Sequence, residues 1–179
     1  MGNKINYRYL QDDDYSHLLA WWSSLDNNRG DRARLRRAES PDDILLTTPF
    51  FNFLKEMPEA WSQQRNLPIS AMVAATLSHV KPLHNNTESF ATTLAAKKPG
   101  SDRPRMSELR FQQLQKSRTP DDFFRRLVRA VKLVDSNFNI LSLADNIGQW
   151  MNEYRYGVDV KPFNRLAVSW ANDYYSQLK

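Results

Sequence analysis

At 179 residues the chain is long enough to bury a core without disulfide or metal staples, and with no cysteine it has no thiolate for a zinc site or for nucleophilic attack. Lys and Arg number 25 against 20 Asp and Glu, a formal net charge of +5, and 16 of the cations are Arg, whose planar fork suits two-point contact with phosphate. Residues 1–10 lack the apolar core of a signal peptide and no run approaches the ~20 apolar residues of a membrane span, so a cytoplasmic location is expected.

Helical periodicity runs through the chain. Leu18, Trp21, Trp22 and Leu25 share a face at i, i+3, i+4, i+7, and Asp12-Asp13-Asp14 suits the positive end of the helix dipole. A short helix is predicted over residues 31–38. Ser40-Pro41-Asp42-Asp43 then reads as an N-cap, a first-turn proline and two first-turn acids. Phe50, Phe51 and Phe53 are expected to pack inward. From Pro68, the stripe Ile69, Met72, Val73, Thr76, Leu77 and Val80 predicts a core helix that Pro82 stops. Residues 83–104 are weaker in pattern, with loop signals at Asn85-Asn86 and Pro99-Gly100-Ser101 and a short helix over 88–96.

Helices resume over residues 107–116. Thr119-Pro120-Asp121-Asp122 repeats the earlier start signal, and Phe124, Leu127, Val128, Val131 and Val134 form a buried face. The next helix carries Ile140, Leu143, Ile147, Trp150, Met151 and Tyr154 and ends at Gly157. The last opens at Pro162 with Phe163, Leu166, Ala167, Trp170, Tyr174 and Leu178. The expected fold is all-α, with two helical bundles joined by a Pro/Gly-containing linker. Residues 1–97 form the first domain, with 1–13 a flexible tail, and 104–179 form the second. Trp21, Trp22, Trp150 and Trp170 belong with the core stripes. Trp61, in a polar segment, is the one tryptophan to weigh as a stacking platform.

No active site is legible. His17, His79 and His84 have no metal-ligand spacing, the acid pairs Asp42/Asp43 and Asp121/Asp122 are first-turn acids, and neither a glycine-rich phosphate loop nor a nucleophile elbow is present. No cofactor is expected and the chain reads as non-catalytic. The basic clusters say more. Residues 103–132 hold nine cations against three acids. Arg125, Arg129 and Lys132 lie within about 60° of one another on a helix, away from the apolar face. Arg110, Lys116 and Arg118 lie upstream. Arg29, Arg32 and Arg36 share a second face, with Arg34 and Arg37 beside them. Such stripes either track a phosphate backbone or form a solvated helix face, and few acids sit at i±4 to pair with them. Glu108 reads as structural.

The order of these motifs resembles the CasB family, small nucleic-acid-binding subunits of the type I-E CRISPR Cascade. The likeness runs over residues 14–178. It is carried by Trp21 to Leu25, then Leu35-Arg36-Arg37-Ala38, Ser40-Pro41-Asp42 and Pro49-Phe50-Phe51. Further on come Ser107-Glu108-Leu109-Arg110-Phe111-Gln112-Gln113-Leu114, Asp121-Asp122, Arg125-Arg126-Leu127-Val128-Arg129, and the closing Trp170 to Tyr175. The stretch 97–104 and residues 1–13 fall outside it. The resemblance implies a non-catalytic helical subunit that packs with the Cascade backbone and large subunits, and with a second copy of itself head to tail. It also implies contact with guide RNA and target DNA and support of the R-loop in antiviral defence, with no membrane partner. Arg36, Arg37, Arg110, Lys116, Arg118 and Arg129 match basic positions of the family, and the helix-face reading adds Arg125 and Lys132. A stand-alone single-stranded nucleic-acid binder, a scaffold whose arginines meet protein acids, and a metal nuclease are the alternatives.

Overall fold

The structure is a computed structural model and describes residues 5–81, 84–85, 87–135 and 138–179. Among these, nine α-helices carry the fold and there is no strand, so the all-α expectation holds. In chain order they are α1 (Asp12–Ser24), α2 (Arg29–Arg36), α3 (Thr48–Glu56), α4 (Leu67–Leu77), α5 (Phe90–Ala95), α6 (Glu108–Gln115), α7 (Pro120–Val131), α8 (Ile140–Tyr156) and α9 (Leu166–Gln177). Tight 3-10 turns at Pro41–Ile44, Glu59–Ser62, Gln64–Asn66 and Pro162–Asn164 reset the chain direction between helices.

The starts follow local chemistry. The Thr119 hydroxyl accepts from the backbone N–H of Asp122, and Pro120 fills the first turn of α7, where no N–H is needed. Asn139 caps α8 by accepting from Ser142 N–H. At Pro41–Ile44 the Asp43 carboxylate reaches back to the N–H groups of Glu39 and Ser40. Gly157, at φ 86°, lets the chain leave α8 in a left-handed conformation.

All nine residues from Ile69 to Leu77 of α4 are buried, which makes it the central helix. Its alanines, Ala71, Ala74 and Ala75, allow close approach on several sides at once. It packs against α8, α2, α3 and α7 and the surrounding turns. Leu77 is its last residue, and Pro82, the expected stop, lies outside the described residues, as do Leu83 and Asn86.

Several features of the packing go beyond the sequence pattern or depart from it. Buried residues of both halves belong to one hydrophobic cluster. α5 precedes the expected linker but packs on α9 and α8. The linker itself is a closed turn. Lys98 N–H donates to Arg103 O at 3.0 Å, Arg105 N–H to Ala96 O at 2.9 Å, and Gly100 takes φ 72°. Independent folding of residues 1–97 and 104–179 stays a proposal, and the shared core weighs against it. Phe51 is 52% exposed, because it faces away from the stripe that Phe50 and Phe53 bury, and Phe163 is 83% exposed, in a turn that buries none of its residues. α9 starts at Leu166 rather than Pro162, which opens a separate 3-10 turn.

The expected flexible tail is held at its end. Backbone N–H groups of Arg8, Tyr9 and Leu10 all donate to the buried Asp145 carboxylate of α8, at 3.2, 2.7 and 2.9 Å. Burial raises the Asp145 pKa, and the three donors work against that rise. The Tyr9 ring lies directly over Gly148, one turn further along α8, where a Cβ would collide with it. Gly148→Ala should therefore lift residues 8–10 from α8 and cost about 1–3 kcal/mol of stability. Thermal melting and hydrogen exchange at residues 8–10 measure this. Tyr9→Ala in the same chain should recover part of the loss, a coupling that a double-mutant cycle reads directly.

Candidate nucleic-acid interface

α7 is the most strongly two-faced helix. Phe123, Phe124, Leu127, Ala130 and Val131 are buried. Arg125, Arg129 and Lys132 are exposed on the other side. Arg37, Arg110, Lys116 and Arg118 are exposed as well, while Arg36 is half-buried. Among the described residues, none of these eight cations pairs with a carboxylate within 4.0 Å.

The structure brings four of them together along two clefts that share Lys132. One cleft, of about 540 Å³, lies between α6 and α7 and is lined by Arg110, Arg129 and Lys132 with Gln113, Met106 and Leu133. Arg126 also lines it, but its guanidinium is committed to Asp122 at 3.3 Å and to the carbonyl of Gln113. The other cleft, also about 540 Å³, is lined by Arg36, His79, Lys81, Lys132, Val131 and Val134. Here α2, the end of α4 and the end of α7 converge. Arg125 lies one turn before Arg129 on the same face of α7. Arg37 and Lys116 line neither cleft. Arg118 borders a separate apolar cleft with Trp150, Tyr154 and Val158.

His79, Lys81 and Arg126 were missed by sequence reasoning. Sequence alone presents His79 only as a candidate metal ligand, and among the described residues no group of three His, Cys, Asp or Glu side chains could hold a metal. Its signal is three-dimensional. Burial, then the charges of Lys132 and Arg36, push its pKa down to about 4. Arg36 is positioned by its Nε–H, which donates to Ser78 O at 2.7 Å at the negative end of α4. Its Nη2 is buried without a partner. Burial and the neighbouring Arg32 lower the Arg36 pKa, though a guanidinium stays charged. Arg32 itself is tied to Asp26 at 2.9 Å, so the expected Arg29–Arg32–Arg36 stripe is broken in its middle.

The aromatic residues divide as their surroundings dictate. Trp21 packs edge-on to Phe53 with ring centroids 4.6 Å apart, and Trp22 Nε1 donates to Val80 O. Trp61 is buried, not a surface platform, because its Nε1 donates to the buried Asp14 carboxylate at 2.8 Å. Trp150, half-buried, stacks between Phe123 and the exposed Tyr154. Glu108 accepts from the Tyr175 hydroxyl and from Gln112, a structural use.

A native His79 pKa near 4 against about 6.5 in the unfolded chain has a defined sign. Between these values the unfolded state binds the extra proton, so stability is complete above about pH 6.5 and falls as pH drops toward 4. The burial-lowered His84 pulls the same way. His79→Gln should flatten this acid limb in denaturant titrations at pH 7.5 and 5, leaving the part that other groups supply.

A comparison with curated proteins finds no match. The family model for CRISPR-associated protein Cse2 matches residues 31–175, about four fifths of the chain, including all six Arg and Lys residues that line the two clefts. The chain belongs to the CRISPR-associated protein Cse2 family.

Proposed function

We propose that this chain, by its family a subunit of the type I-E CRISPR Cascade, is the non-catalytic small subunit. In this reading it binds nucleic-acid backbone through the α6–α7 and α2–α4–α7 clefts and stabilises the R-loop at target DNA in antiviral defence. The observation that carries the reading is the run of cations without carboxylate partners, Arg110, Arg129, Lys132 and Arg36, across elements distant in sequence. Contacts from such arginines to phosphates set position and carry no base-sequence information. Guide pairing supplies specificity. R-loop formation is a near-balanced exchange of duplexes, so a few backbone contacts are enough to tip it.

A second surface supports assembly rather than solitary action. The segment joining α8 to α9 exposes Val158, Val160 and Phe163, at 58%, 89% and 83%. An apolar group of this kind fits docking onto protein, either the backbone and large subunits or a second copy packed head to tail.

Arg125→Ala/Arg129→Ala/Lys132→Ala in the assembled complex should leave melting within about 1 °C, because exposed charges contribute little to stability. It should weaken target-DNA binding by a similar factor for every matched sequence and reduce the log–log salt slope by about 2–3. Unchanged affinity with unchanged melting would mean that this face is only solvated. Val160→Ser/Phe163→Ser should keep the isolated chain folded but lower its retention in the complex on gel filtration. Full retention would mean that this apolar group is not the docking surface, whereas failure of the unaltered chain to co-elute with the other subunits would favour a stand-alone single-stranded nucleic-acid binder.

A further inference from the structure

We infer that the cleft between α2, the end of α4 and the end of α7 seats a single phosphate group of a nucleic-acid backbone, held by Arg36, His79 and Lys132. The inference deepens the reading of the basic face as a nucleic-acid contact and rests on it.

Three features make this cleft different from a charged surface. Arg36 is already oriented, since its Nε–H is fixed on Ser78 O while its Nη2 is buried with no acceptor. A buried donor without an acceptor is costly, and a phosphate oxygen is the acceptor that would satisfy it. Lys81 and Lys132 add two ammonium groups at the rim, and no carboxylate is among the described lining residues. The turn Pro41–Ile44 packs against both α4 and α7, but its Asp42 and Asp43 are exposed and outside the lining. Asp43 is also occupied by the N–H groups of Glu39 and Ser40. Asp135, just beyond α7, is paired with Arg105 at 3.0 Å. Protein acids near the cleft are thus spoken for or face elsewhere.

The third feature is His79. Burial first, and then the cations on both sides, keep the imidazole neutral in the free protein. A phosphate between Arg36 and Lys132 reverses that field, so the ring takes up a proton as the ligand binds and becomes a further donor. Lys132 also lines the neighbouring cleft. A strand anchored here can therefore continue past Arg129 toward Arg110, which fixes the register of an otherwise sequence-blind surface.

The test uses the full chain, an unphosphorylated oligo(dT) probe, and inorganic phosphate, with His79→Gln and Lys132→Gln variants checked for unchanged backbone spectra. If the bound ring returns to its ordinary value of about 6.5, oligo(dT) should bind about tenfold more tightly at pH 5.5 than at 7.5 through this group. His79→Gln should lose that increment, so that its ratio of affinities between pH 5.5 and 7.5 is about tenfold smaller than that of the unaltered chain. The His79 ring signals should move on adding either probe, and less so in Lys132→Gln. Oligo(dT) binding with an unmoved His79 and an unchanged pH dependence in His79→Gln would overturn the seat while leaving the nucleic-acid reading intact. Movement with inorganic phosphate but not with oligo(dT) would overturn the backbone assignment in favour of a free-anion site. Absence of oligo(dT) binding at every pH would count against the broader reading, and the inorganic phosphate titration would still decide the cleft.

Discussion

Everything else in the fold is arranged around the burial of α4 on all sides. A short helix with Ile, Met, Val and Leu around its circumference cannot remain at a surface, so the chain wraps it with α2, α3, α7 and α8. That wrapping has an electrostatic consequence. The C-terminal carbonyls of α4 need donors, and Arg36 from α2 supplies one at Ser78. α7 must lay its Phe124/Leu127/Val131 face inward, and its cationic face then turns out beside the same helix end. The convergence of Arg36, His79 and Lys132 is thus a by-product of how a helix buried on all sides is covered.

Charge use in the molecule follows a division of labour. Arg36 is half-buried without a carboxylate, whereas Arg32, Arg105 and Arg126 are matched to Asp26, Asp135 and Asp122. Leaving them unpaired would incur a desolvation cost that a protein acid offsets. Arg110, Arg125, Arg129 and Lys132 are exposed and stay hydrated, so they need no protein partner. A net charge of +5 understates the field at the clefts, because acids are placed where they neutralise inner arginines and first helical turns rather than the outer face.

Capping chemistry made the helices legible. Ser40-Pro41, Thr119-Pro120 and Gly157 mark boundaries through local hydrogen bonds and backbone limits, and these need no knowledge of the rest of the chain. The α7 stripe was legible for the same reason, since one helix defines both of its faces. What escaped depended on distant partners. Trp61 looked exposed in a polar segment, but its burial is created by Asp14, 47 residues away in sequence. The docking of α5 on α9 and the pinning of residues 8–10 by Asp145 are likewise long-range. Residues 97–104 carry the composition of a linker, yet the hydrogen bonds across that turn close it. His79 is the sharpest instance, because nothing in its own neighbourhood announces Arg36 or Lys132.

The separation of the two exposed surfaces has a functional implication. The cations come from α2, the end of α4, α6 and α7, whereas Val158, Val160 and Phe163 belong to the α8–α9 connection. Neither set lends side chains to the other's clefts, apart from Arg118 at the border of the apolar one. A chain acting alone would gain nothing from keeping large apolar groups in water, since each raises the cost of staying monomeric and soluble. A subunit held in an assembly gains twice. In the proposed assembly the apolar surface would fix its position, and a fixed position lets a modest number of phosphate contacts act at high effective concentration. Weak, sequence-blind contacts are then sufficient, and a stronger intrinsic affinity would only promote binding to nucleic acid away from the target.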